Sequence, residues 1–173
     1  MKTIKTTIFA LMILASNVFS QKDSVYIQKS VDDMSEKSTY YPSTDVVLSN
    51  EGKTKGIRLS VFIDEKDGEL SVGNLSLKMI GIGSCVEKNE MIIMFEDSSK
   101  ITLTSWNKFN CKGDAWFDIT NDEADKLATL KVKKIKITNG YTFDSFTKAM
   151  SRPDYFRQIF YAIKMKKIKE VKE

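Results

Sequence analysis

The chain has 173 residues, only two cysteines, Cys85 and Cys111, and no histidine. Without an imidazole, Ser-His-Asp and Cys-His catalysis are excluded in their usual forms. Histidine-containing zinc sites are excluded too, and two thiolates cannot build a four-cysteine site. Carboxylate-only chemistry survives, as in a glycosidase that works with two acids. With 23 acidic residues, however, composition singles out no pair. The cysteines lie 26 residues apart, without the Cys-x-x-Cys spacing of a redox pair. A structural disulfide is the simpler expectation.

The stretch "SWNKFNCKGDAWFDIT", Ser105 to Thr120, concentrates two Trp and two Phe around Cys111. Trp106 is a candidate ligand-stacking residue of the kind that meets a carbohydrate ring. A helix or loop more often covers such a Trp, and cover is the expectation here. Trp116 sits in the strand "AWFDI", and its direction is left open. Three other strings invite chemistry and do not sustain it. "DEKDGE" lacks the ligand spacing and the twelfth-position Glu of a calcium loop. "GIGSC" lacks the Lys-Ser/Thr and the following helix of a phosphate loop. Asp122, Glu123 and Asp125 fall where acids favour a helix N-terminus. The residues therefore imply no catalytic group, no metal and no cofactor.

Strands must position these residues. "GIRLSVFID" alternates, with Ile57, Leu59, Val61 and Ile63 on one face and Arg58, Ser60, Phe62 and Asp64 on the other. Asp67-Gly68 predicts a turn. The pattern resumes through Leu75, Leu77 and Met79, with Gly73, Gly81 and Gly83 as expected bulges or close approaches. "MIIMFEDSSKITLTSW" predicts a hairpin. A three-residue turn, Asp97-Ser98-Ser99, sets Phe95 opposite Ile101, Ile93 opposite Leu103 and Met91 opposite Ser105. Extended outward, that register sets Cys85 opposite Cys111, on the inward face that also takes Phe109. Opposed strand residues lie ~4.5–5.5 Å apart at Cα, within reach of a disulfide.

Thr120 and Glu123 form a capping-box pattern, with Ile119 and Ala124 at staple positions. A strand of Lys alternating with Val132, Ile135 and Ile137 follows, and its lysines suit an edge. From Tyr141 the spacing predicts helix. One short helix would use Phe143, Phe146, Ala149 and Met150. A second, capped by Ser151 with Pro153 in its first turn, would bury Phe156, Ile159, Phe160 and Ile163. Before this body, a strand is expected near Ser24–Gln28, then an irregular link through Pro42.

Residues 1–20 read as a signal peptide. Lys2 and Lys5 precede the apolar "IFALMILA", with Val18 and Ser20 at the cleavage-site positions. Residues 21–173 then form one β-rich domain with a C-terminal helical segment. No later segment approaches ~18 apolar residues, so no transmembrane segment is expected. Losing residues 1–20 removes two Lys and no acid, which lowers the net charge from +4 to +2. Such a balance does not point to nucleic acid. Export favours the disulfide, because oxidising compartments preserve it.

"DDMSEK" and "AWFDITNDEADKLATLKVKKIKI" carry a resemblance. The second is an aromatic strand, a capped helix, then a strand of alternating Lys and Ile. With the signal segment, this layout resembles small secreted proteins of Bacteroidota type that have no assigned activity. The resemblance implies a sandwich-like or roll-like β core with helical additions, and brings no site residues. The expected class is α+β: mainly antiparallel sheet, one short helix before the last strand, and helices at the C-terminal end. The expected function is that of an exported, soluble, non-enzymatic binding or envelope-associated module, periplasmic or extracellular, with a glycan or envelope component as partner. A small carboxylate-dependent glycan hydrolase is the alternative.

Overall fold

The computed structural model describes residues 27–164, apart from positions 33, 36, 67, 68 and 72. The signal segment, the Asp67-Gly68 turn and the Lys-rich end lie outside the described residues. The elements are β1 (Ile27–Asp32), β2 (Lys37–Pro42), β3 (Val46–Ser49), β4 (Gly56–Lys66), β5 (Glu69–Leu70), β6 (Asn74–Ile80), β7 (Glu90–Phe95), β8 (Lys100–Thr104), β9 (Asp114–Asp118), α1 (Asn121–Thr129), β10 (Val132–Thr138), β11 (Ser145–Ala149) and α2 (Tyr155–Lys164).

They form two antiparallel sheets, so the α+β, mainly antiparallel architecture stands. A seven-stranded sheet runs β1-β2-β4-β6-β9, with β3 and β5 also paired to β4. A four-stranded sheet runs β11-β10-β7-β8. Period-two alternation gives each sheet one apolar face. Leu59, Val61, Leu75, Leu77 and Phe117 are fully buried from the first, as are Met91, Ile93, Phe95, Ile135 and Ile137 from the second. All belong to one hydrophobic cluster. Helix α2 adds Phe156, Ile159, Phe160 and Ile163 at helical spacing. The buried Tyr155 hydroxyl at its start donates to Thr44 O (2.8 Å). Burial, with a smaller contribution from the charge of Asp45, raises the phenol above its ordinary pKa and keeps this donor protonated.

Helix α1 opens on the predicted capping box. Thr120 Oγ1 accepts from Glu123 N, and the Glu123 carboxylate accepts from Thr120 N (2.9 Å). Glu123 is thus engaged in starting the helix.

The strand of alternating lysines, expected at an edge, is β10 and lies inside its sheet between β7 and β11. The structure differs from expectation at four further places. Residues 37–42 form β2 rather than an irregular link. Met34 and Ser35 lie in the turn before it, with Asp32 accepting from Met34 N (3.0 Å) and from the Ser35 hydroxyl (2.7 Å). Residues 145–149 form β11 rather than a helix, paired to β10 through Phe146 opposite Ile137. Phe146 and Met150 are the buried positions. A spacing of four suits a strand face as well as a helix face, and the unpaired edge of β10 decides between them. Ser151 to Asp154 form a bend and turn, and α2 begins at Tyr155.

The fourth difference is the hairpin register. The turn is centred on Asp97, not Ser98: Phe95 N donates to Ser99 O (2.9 Å), and Ser98 adopts φ 70°. Asp97 draws the chain round by accepting from Ser99 N (2.9 Å) and Ser99 Oγ (2.6 Å). Ile93 therefore faces Ile101, and Met91 faces Leu103. Each partner moves by two residues, so every side chain keeps its expected face. Further out, Val86 bridges Asn110 in the register centred on Ser98. Cys85 and Cys111, one step beyond, are bonded (S–S 2.01 Å). The bond is not on the inward face: Cys85 is half-buried and Cys111 exposed. Phe109 is 49% exposed and meets the Tyr141 ring edge-on at 5.2 Å, instead of joining the core. Among the described residues no helix is long and apolar enough to cross a membrane, and the disulfide is consistent with an oxidising compartment.

Two predictions follow from this packing. Ile93→Ala should lower unfolding free energy by roughly 2–5 kcal/mol, and Thr104→Ala, on the exposed face, by no more than ~0.5 kcal/mol, in denaturant titrations. Thiol labelling of denatured, oxidised protein should find no free cysteine, and two after reduction. Loss of the bond should cost roughly 3–4 kcal/mol, since it closes a long loop.

Candidate functional site

The outward face of the seven-stranded sheet carries the polar half of the alternation, and within it a line of aromatic rings. Three transverse rows define the surface. Phe62 pairs with Asn74, which pairs with Asp118; Ser60 pairs with Ser76, which pairs with Trp116; Arg58 pairs with Lys78, which pairs with Asp114. Phe62 and Trp116 thus stand on β4 and β9 with β6 between them. The β6 side chains there are the small Asn74 and Ser76, and the two rings close over that strand to 5.5 Å between centroids. Tyr41, beside Phe62 on β2, lies 6.3 Å from it, and Trp106 lies 6.4 Å from Trp116. The result is one continuous row: Tyr41, Phe62, Trp116, Trp106.

Trp106 is not covered, as the sequence suggested, but 59% exposed. The reason lies in the register change beside the disulfide. From Asn89 to Val86 the chain takes three steps, while its partner takes five from Ser105 to Asn110. The extra length lets Trp106 and Asn107 leave the β7–β8 hairpin and attach to β9 in the other sheet. Trp106 N donates to Trp116 O (3.1 Å), and Trp116 N donates to Asn107 Oδ1 (2.9 Å). Asn107 Nδ2 donates onward to Asp114 O (3.0 Å), as does Asn110 Nδ2 (2.9 Å). Asn107 acts as a short surrogate strand along the edge of β9. Gly113 closes the segment: its carbonyl accepts from Met79 N (2.8 Å). At its φ of +77°, a Cβ would stand 2.6 Å from Met79 O, so only glycine fits there. This clamp answers why Trp and Asn crowd around Cys111, and only the pairing of distant strands could have revealed it.

Polar groups frame the rings. Asn74 Nδ2 donates to Asp118 Oδ1 (2.8 Å) beside Phe62. Ser60 donates to Asp45, which also faces Arg58 at 3.9 Å. Lys37 pairs with Asp64 (2.8 Å) and Lys78 with Asp114 (2.9 Å). Exposed ion pairs of this kind contribute ~0–1 kcal/mol. The face offers apolar rings in fixed positions, bordered by hydroxyls, an amide and carboxylates. Such a surface is complementary to a molecule that is apolar on one side and rich in hydroxyls at its rim. A separate cleft of about 470 Å³ between α1 and α2 is lined by Ala128, Thr129, Arg157, Gln158 and Tyr161.

Asn107→Ala should remove the hydrogen bonds on both sides of the clamp and destabilise by roughly 1–3 kcal/mol. It should also change the emission of the two tryptophans by loosening them from each other. Unchanged stability and emission would show that Asn107 does not hold the row.

No family model, no curated protein and no solved structure matches this chain, so the face is read from its own geometry.

Proposed function

We propose that the protein is an exported, non-enzymatic binding module that holds an envelope glycan against the row Tyr41, Phe62, Trp116 and Trp106. The observation that carries this reading is the row itself: four outward rings in sequence, two of them locked to each other through their backbones. The apolar C–H face of a sugar stacks on an aromatic ring, and its hydroxyls need donors and acceptors at the ring's edge. Ser60, Ser76, Asn74 and Asp118 stand at that edge. An apolar protein partner would not need such a border. Rings held in place before binding lose little side-chain entropy on contact, which favours affinity.

Chemistry on the chain also supports binding over turnover. It has no histidine, and its two thiols are spent in the disulfide. On this face Asp45, Asp64, Asp114 and Asp118 are each engaged by a cation, a hydroxyl or an amide. The signal segment and the disulfide both suit an exported protein.

Trp106→Ala and Trp116→Ala should each weaken binding to glycans found on an array by roughly tenfold, as measured by calorimetry. Trp106→Ala should leave stability within ~0.5 kcal/mol, because its ring is mostly exposed. Full affinity in both folded variants would remove the row as the binding surface.

A further inference from the structure

The row also constrains the shape of what it takes. Its ring-to-ring distances are nearly even, at 6.3, 5.5 and 6.4 Å. Its planes are not parallel: successive rings are tilted by 36°, 42° and 34°. Tyr41, Phe62 and Trp116 sit on different strands of a twisted sheet and Trp106 on the segment bonded to β9, so no flat plane passes along all four. A flat polycyclic ligand, or the flat face of a packed polysaccharide, could rest on one or two rings only. A chain whose units turn relative to one another can address each ring separately.

Among the described residues neither end of the row is closed by a further ring. Beyond Tyr41 its partner on β1 is the exposed Gln28, an amide rather than a ring. At the other end Trp106 is the most exposed of the four. A site that recognised a terminal sugar would need groups closing over that sugar. Among the described residues this row ends in an exposed amide on one side and an exposed ring on the other.

Resting on the glycan reading above, we propose that the row binds a single extended glycan chain lengthwise, with successive sugars meeting successive rings, and selects neither chain ends nor packed polysaccharide surfaces. Trp116 and Phe62 form its centre. Tyr41 and Trp106 are outer subsites that a short ligand leaves empty.

The test is calorimetry with cello-, malto-, manno- and chito-oligosaccharide series from the monosaccharide upward, beside pull-downs on crystalline cellulose and chitin. Within the series that binds, affinity should rise roughly two- to tenfold per added sugar until the four rings are covered, then level off. Tyr41→Ala should lower affinity for the longest oligomers several-fold and so flatten the rise of affinity with chain length; an undiminished rise would overturn lengthwise binding along the row. Binding should fall, not rise, on the crystalline polymers. A monosaccharide bound as tightly as the longest oligomer would overturn lengthwise binding while keeping the glycan reading. Preference for the crystalline polymers would do the same. Absence of binding in every series and on both polymers would overturn both.

Discussion

Both backbone groups of Trp116 are bonded to chain that arrives from the other sheet. Its carbonyl accepts from Trp106 N, and its amide donates to the side chain of Asn107. Much of the molecule depends on this junction. The β7–β8 hairpin belongs to the four-stranded sheet and β9 to the seven-stranded one, so the chain must cross between them after Thr104. A crossing segment carries backbone groups that lose water without gaining a strand partner. Asn107 and Asn110 resolve this by bonding to the edge of β9. The edge is covered, and two tryptophans are set side by side.

The end loops are organised in the same way, by buried amides as well as by the apolar packing of Ile82 and Val86. Asn139 is fully buried; its Nδ2 donates to Ile82 O (2.8 Å) and Cys85 O (2.7 Å), and its Oδ1 accepts from Tyr141 N (2.8 Å). Asn89, equally buried, accepts from Gly140 N (3.3 Å) and reaches Ser105 Oγ. A buried amide with its groups paired specifies one loop arrangement, because any other leaves it unsatisfied. The disulfide lies on this scaffold and ties the loop before β7 to the segment that carries Trp106. A bond at the periphery of the core therefore bears on the aromatic face.

The two faces of the seven-stranded sheet divide the work. The inner one is continuous apolar surface with full burial, and it supplies the hydrophobic stabilisation. The outer one keeps three aromatic rings half-buried and a fourth mostly exposed, although covering them would add stability. Small residues on β6 permit the rings of Phe62 and Trp116 to meet across that strand. Larger side chains at Asn74 and Ser76 would part Phe62 from Trp116 and split the row into two pairs.

Several features were legible in the sequence because they are local. Period two assigned Ile57 to Ile63 and Ile93 to Phe95 to their correct faces. Thr120 and Glu123 marked the start of α1, and the presence of only two cysteines, with an expected export signal, pointed to the bond between Cys85 and Cys111. Local pattern could not set the hairpin register, since a shift of two residues leaves every face unchanged and the hydrogen bonds of Asp97 decide the turn. It could not separate strand from helix at 145–149, where a buried spacing of four fits both periods and the free edge of β10 settles the matter. Nor could it show the aromatic row. Tyr41, Phe62, Trp106 and Trp116 are scattered along the chain, and they become neighbours only when β2, β4, β6 and β9 pair in register. Within the regular strands the sequence alone determined which side chains face inward, but it misplaced Cys85, Phe109 and Cys111 where the hairpin ladder breaks. Tertiary structure decided which outward ones meet, because that depends on strand order and on a chain crossing that no local propensity encodes.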